Sequence, residues 1–295
     1  MTRIHRGTLV EMQVDREHPG QTPDGAAATI ADRAVSAPPL WIERRGNPAS
    51  PAVVFLHGFL GDGSDWAPVV DLVEDQFHCL LVDLPGHGRS APPESSAAFA
   101  RDLREALPHH LSGPFILCGY SMGARLALAA LGEGLGPATG LILESCRLGL
   151  SNPAERSARL EHDLALSARL RFNPAAFLRE WYGQPLFASP ARHPALLSRI
   201  RQGARTTINA PARRGAGGVQ PGAHARRLAG AAPERPVLAL VELDAAYAEI
   251  APNIAAAATS GAALVIPGAG HNLHRENPEA FAEALVDFHR STGLA

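Results

Sequence analysis

The sequence predicts an α/β domain: a mostly parallel sheet flanked by helices, with a helical cap inserted before the last strands. Three observations predict it. Short apolar runs alternate with stretches of helical spacing from residue 40 to 146, and again after 237, as in strands joined by right-handed helical crossovers. The runs are continuous rather than alternating, which marks strands buried on both faces. The motif Gly119-Tyr120-Ser121-Met122-Gly123 stands between such a run and an alanine- and leucine-rich helical stretch.

Residues 1–38 are polar and rich in glycine, proline and alanine, with no apolar period, and read as a disordered extension. Met1–Gln21 lacks the apolar stretch of a secretory signal. Strands are expected at 40–42, 52–56 and 78–82. Between the last two, Trp66, Val69, Val70 and Val73 give residues 65–74 one apolar helical face. A helix at 99–107, a strand at 115–118, a helix at 121–131 and a strand at 141–143 follow. Residues 147–228 break the rhythm: helices are expected at 154–170, 175–182 and 195–205, then a glycine-rich loop at 215–222. This stretch reads as a cap over the carboxyl edge of the sheet, where open α/β sheets bind ligands. Strands at 237–241 and 263–266 and a helix at 278–290 close the chain. The core is therefore expected at 39–146 and 229–295.

With 295 residues the chain can bury a large core. No run of eighteen apolar residues offers a membrane span. Cys79, Cys118 and Cys146 are too few and too scattered for a disulfide framework, and two lie in apolar runs; buried reduced thiols in a cytoplasmic protein are expected. The net charge of −2 gives no bulk attraction to nucleic acid or anionic lipid. All 27 basic residues are arginine, which weakens inference from any single one. Yet 147–214 holds 12 arginines and 4 acids. A local basic patch in a mildly acidic chain suits a small anionic ligand.

The glycines of G-x-S-x-G allow a strained strand-to-helix turn that exposes a nucleophile, the elbow of an α/β-hydrolase fold. Ser121 is then the nucleophile or base, at a helix N-terminus that favours negative charge. Oxyanion donors are expected from the backbone N–H of Met122 and of Phe59, in His57-Gly58-Phe59 after the first buried strand. A serine of this kind needs an imidazole and a carboxylate, in the chain order Ser, acid, His. His271 follows the last strand in Pro267-Gly268-Ala269-Gly270-His271, and Asp244 follows the strand at 237–241, with Glu242 as its rival. His274 suggests an H-x-x-H metal pair, but the sequence supplies no third ligand, so neither metal nor cofactor is expected. Asp83-Leu84-Pro85-Gly86-His87-Gly88-Arg89-Ser90 reads as a structural loop, and His87 as a poor catalyst.

These residues resemble a family. Residues 56–66 (LHGFLGDGSDW), 83–90 (DLPGHGRS), 119–125 (GYSMGAR), 181–189 (WYGQPLFAS) and 270–278 (GHNLHRENP) are similar to the 2-succinyl-6-hydroxy-2,4-cyclohexadiene-1-carboxylate (SHCHC) synthase family of menaquinone biosynthesis. The similarity spans about residues 50–290. The resemblance implies a lyase: a serine made basic by histidine and aspartate removes a proton, and a conjugated rearrangement expels pyruvate. It also implies that arginines bind the carboxylates of the substrate. Arg125, one helical turn after Ser121, and Arg159 match family arginines; Arg201 is the expected second cap arginine, with Arg205 as competitor. Trp181 and Tyr120 match pocket residues. The chain departs from the family at Ala124, around Val241-Glu242-Leu243-Asp244, at Tyr247, at 145–150 and over 205–220.

Two rival functions use the same residues differently. A hydrolase of an ester or carbon–carbon bond would attack covalently or through water. A binding protein would use the fold without chemistry, and the intact Ser, Asp and His set argues against that.

Overall fold

The structure, a computed structural model, describes residues 40–91, 98–146, 150, 152–191, 194–209, 236–241, 260–266 and 269–292. The extension expected at 1–38, the loop at 215–222, Glu242 and Asp244 lie outside these residues. The strands are β1 (Ile42–Arg45), β2 (Ala52–Leu56), β3 (His78–Val82), β4 (Phe115–Tyr120), β5 (Ala138–Glu144), β6 (Pro236–Val241) and β7 (Ser260–Val265). They form one sheet in the order β1-β3-β2-β4-β5-β6-β7. β1 runs antiparallel to β3 and every other pairing is parallel.

The helices are α1 (Ala67–Val73), α2 (Ala98–Ala106), α3 (Met122–Gly132), α4 (Pro153–Phe172), α5 (Pro174–Trp181), α6 (Ala188–Ala191), α7 (Pro194–Asn209), α8 (Leu273–Glu276) and α9 (Pro278–Thr292). β2, β3 and β4 are buried at every position because helices cover both faces of the sheet. Alternate residues go to opposite faces. Val54, Leu56, Leu80, Val82 and Leu117 share one core with residues of α2 and α3. Val53, Phe55, Leu81, Ile116 and Cys118 share the other with α1 and α9. Trp66 is fully buried in that second core.

Several expected boundaries moved, β5 and β7 each beginning three residues early, and two of the shifts have a physical reason in the sequence. β1 begins at Ile42 rather than at residue 40: as an edge strand it is half exposed and carries Glu43 and Arg44 outward, so apolarity does not mark it. The helix expected from residue 65 opens as a 3₁₀ turn, Gly63–Trp66, capped by Asp62 accepting from Ser64 N–H, and only then becomes α1.

β2 lies between β3 and β4, so the chain reverses its direction of winding there. Ligands of open α/β sheets bind outside the carboxyl ends of strands at such a reversal. The carboxyl end of β2 leads to Phe59, and that of β4 to Ser121. Helices α4, α5 and α7, with the turn at 185–187, bury their own apolar side chains, among them Leu166, Phe177, Phe187 and Ile200, against Leu60 from the loop after β2.

Candidate active site

Ser121 occupies φ 49°, ψ −101° between β4 and α3, a conformation that costs a non-glycine residue about 1–3 kcal/mol. The turn admits no side chain on either flank. A Cβ on Gly119 would sit 2.6 Å from the nitrogen of Ala124, and one on Gly123 would sit 2.3 Å from the carbonyl oxygen of Leu56. Ser121 N–H donates to the Glu144 carbonyl at 2.9 Å, which ties the elbow to β5. Met122 is the first residue of α3, so its N–H is among the first-turn donors with no intrahelical acceptor.

His271 comes from the opposite direction, between β7 and α8, and is 2% exposed. Its Nε2 stands 3.4 Å from Ser121 Oγ. That is longer than an ordinary hydrogen bond. The main chain around it is firmly held. Ser145 Oγ–H donates to His271 O at 2.9 Å. The Glu276 carboxylate accepts from Gly270 N–H at 2.9 Å and from Asn272 N–H at 3.2 Å. Tyr120 and Phe187 rings wall the imidazole at centroid distances of 5.4 and 6.1 Å.

His274 is turned to another task. Its Nδ1 lies 2.8 Å from Glu144 Oε2, its ring stacks on Trp66 at 4.2 Å, and both Glu144 and His274 are fully buried. Burial pushes the Glu144 carboxyl well above the carboxylate range and the His274 imidazole down to about 3. Both directions favour a neutral pair joined by a hydrogen bond between the carboxyl and Nδ1. Sequence reasoning missed this pair because its members are 130 residues apart.

Two other histidine and aspartate positions are braces. His57 Nε2 accepts from Leu84 N–H at 2.9 Å, and its Nδ1 faces Gly58 O at 2.7 Å, so the ring joins the loop of Phe59 to the next loop. Asp83 accepts from Gly63 N–H at 2.8 Å and Arg89 N–H at 2.7 Å. A Cβ on Gly88, at φ +52°, would strike that carboxylate. The loop at 83–90 is structural, as its sequence suggests.

The site opens on a cavity of about 230 Å³. Phe59, Tyr120, Ser121, Arg125, Arg159, Trp181 and His271 all line it. Arg159 Nε donates to the buried Asp163 at 2.8 Å, one helical turn along α4. Phe59 packs edge-on against Trp181 at 5.0 Å, and Trp181 stacks on Phe177. Arg201 is not among the lining residues; its neighbour Ile200 is. Arg201 acts electrostatically on Tyr182, whose buried phenol is pushed up from its usual range. The Arg205 side chain lies outside the described residues. His162, Asn272 and Arg275 also line the cavity and were not singled out as site residues by the sequence. His162 falls one turn beyond Arg159 on α4, so helical spacing could have found it. Arg275 pairs with the partly buried Asp65, which also lines the cavity.

A model of the alpha/beta hydrolase family matches residues 53–284. The 2-succinyl-6-hydroxy-2,4-cyclohexadiene-1-carboxylate synthase of Salmonella typhimurium (strain LT2) is 36% identical over 253 residues, covering 83% of this chain and 96% of the relative. The namesake from Salmonella newport (strain SL254) gives the same figures. Among solved structures, MenH from S. aureus superposes with a TM-score of 0.73 at 26% identity, covering 86% of this chain and 98% of its own. A thermophilic esterase from Thermogutta terrifontis, malate bound, gives 0.72 at 26% identity, covering 86% and 93%.

Proposed function

The chain belongs to the alpha/beta hydrolase family and, within it, to the SHCHC synthases, and from that premise we propose that it is the pyruvate-eliminating lyase that makes SHCHC for menaquinone. The substrate is 2-succinyl-5-enolpyruvyl-6-hydroxy-3-cyclohexene-1-carboxylate. The proton to be removed sits on the ring carbon next to the succinyl ketone. Ser121 takes it, passing its own hydroxyl proton to His271, which Asp244 orients. The electron pair of the C–H bond becomes a ring double bond. The existing double bond moves one place along, and the C–O bond to enolpyruvate breaks. The departing enolate collects a proton and becomes pyruvate. The N–H groups of Met122 and Phe59 stabilise charge gathering on the ketone oxygen.

The observation that carries this reading is the joint lining of one cavity by Ser121, His271, Arg125 and Arg159. The substrate carries three carboxylates, and guanidinium forks suit carboxylates in two-point contacts. Trp181 and Tyr120 enclose the ring. Helices α4–α7 serve as the cap over this cavity. Arg201, which acts electrostatically on the cavity-lining Tyr182, is the second cap arginine of this reading. The substrate is a small polycarboxylate, and neither nucleic acid nor membrane is a partner. The three cysteines are free and buried, with Cys79 and Cys146 thiols raised to about 12 by burial, which fits a cytoplasmic setting. The esterase likeness supports the hydrolase rival, so the two are tested against each other. The kcat/KM for pyruvate elimination should exceed that for p-nitrophenyl acetate hydrolysis at least about 10³-fold, because only the former uses carboxylate binding energy. A ratio at or below one would favour the hydrolase.

A further inference from the structure

We propose that Glu276 is a positioning residue for His271, gripping the main chain on both sides of it and joining that grip to the inserted helices through Ser189. The proposal rests on His271 being the partner of Ser121. A single carboxylate receives three donors. Glu276 Oε2 accepts from Gly270 N–H at 2.9 Å and from the Ser189 hydroxyl at 2.5 Å, and Oε1 accepts from Asn272 N–H at 3.2 Å. Gly270 and Asn272 flank His271, so the two oxygens fix the peptide planes before and after the imidazole. Ser189 lies 87 residues earlier, in α6. The approach is tight: a Cβ on Gly270 would stand 2.4 Å from Ser189 Cβ. From the other side, Ser145 Oγ–H holds His271 O.

This grip matters because the Ser121–His271 separation is 3.4 Å. A few tenths of an ångström there decide whether a hydrogen bond exists, and small misplacements cost large factors in rate. A carboxylate suits three donors because it accepts without donating. A carboxamide in its place would turn an N–H towards one of them. Glu276 touches no reacting atom, so its effect passes through His271.

Pyruvate release and the phosphonylation of Ser121 by a fluorophosphonate are measured for wild type, Glu276→Gln, Ser189→Ala, Ser189→Thr and the Glu276→Gln/Ser189→Ala double variant. Thermal unfolding is followed alongside. Glu276→Gln should lower kcat about 10- to 100-fold with KM within about 2-fold, and slow phosphonylation in parallel. Ser189→Ala should lower kcat about 5-fold, Ser189→Thr should restore it, and the double variant should be no slower than Glu276→Gln alone. Wild-type kcat in Glu276→Gln, or a loss confined to the unfolding temperature, would overturn the proposal. So would a double variant whose loss is the product of the two single losses. Wild-type protein that is phosphonylated but releases no pyruvate would sink the lyase reading instead, and the phosphonylation rates alone would then decide the role of Glu276.

Discussion

Arg125 stands one turn beyond Ser121 and lines the same cavity. A charged hydrogen bond of this kind is worth about 1.5–3 kcal/mol. Arg125→Ala should therefore lower kcat/KM for the elimination by about 10- to 100-fold, while p-nitrophenyl acetate turnover changes little. Undiminished kcat/KM would remove Arg125 from substrate binding. A second residue-scale consequence concerns pH. The Glu144 carboxyl is raised from its ordinary 4.5, and the His274 imidazole is lowered from 6.5 to about 3. Below pH 4.5 the unfolded chain binds more protons than the buried pair, so stability falls as pH falls. Above pH 6.5 the folded pair retains a proton that the unfolded chain has lost, so stability falls as pH rises. Between 4.5 and 6.5 the two slopes cancel. Unfolding temperatures of wild type and a Glu144→Leu/His274→Leu variant, followed from pH 4 to 8, should differ by this plateau with two falling sides. A constant difference across the range would refute the neutral pair. Among residues, Ser121, His271 and Phe59 were legible because each sits at a fixed offset from a strand end. Glu144 and Ser145 were not, since their partners lie 130 and 126 residues away in the chain, and neither was the Ser189 contact of Glu276 at 87 residues. Arg201 does not line the cavity, whereas its neighbour Ile200, 100° away around the helix, does.

At the scale of elements, the elbow is the part of the fold that tolerates least. Gly123 faces the carbonyl oxygens of Leu56 and His57 at 2.3 and 2.6 Å from where a Cβ would lie. Those atoms are backbone of β2 and the turn after it, so they cannot swing away. Gly123→Ala should destabilise the protein by about 3 kcal/mol and abolish Ser121 phosphonylation even where the chain is still folded. Normal phosphonylation would show that the elbow can open without harm. The buried strands β2, β3 and β4 were legible because both faces are covered, so their residues are mostly apolar. β1, exposed and charged at the edge, was misplaced by two residues because no such pressure acts on it. In the inserted helices, α4 was read as 154–170, and its Asn152 cap and Pro153 start, which place its beginning, were not used. Its cavity face was read only at Arg159, though His162 and Leu166 continue it at helical spacing.

For the whole molecule, the sheet order puts the ends of β2 and β4 at the point where winding reverses, and the inserted helices close that point with their own apolar cluster. Phe59 belongs to both layers: it follows β2 and packs on Trp181 and Phe177. The basic excess legible in 147–214 appears at the cavity through Arg159, while Arg169 pairs with Glu180 on the exposed surface. Fold and chemistry were thus readable from motifs, and the assembly of the pocket was not, because it depends on helix phase and long-range pairing. Ser121 is proposed to drive the elimination of pyruvate. That role is tested most directly by giving the purified protein 2-succinyl-5-enolpyruvyl-6-hydroxy-3-cyclohexene-1-carboxylate and measuring pyruvate, beside Ser121→Ala. The wild type should release pyruvate, and the variant should do so at least about 10³-fold more slowly. Equal release by both, or none from a folded wild-type protein that cleaves esters, would contradict that role.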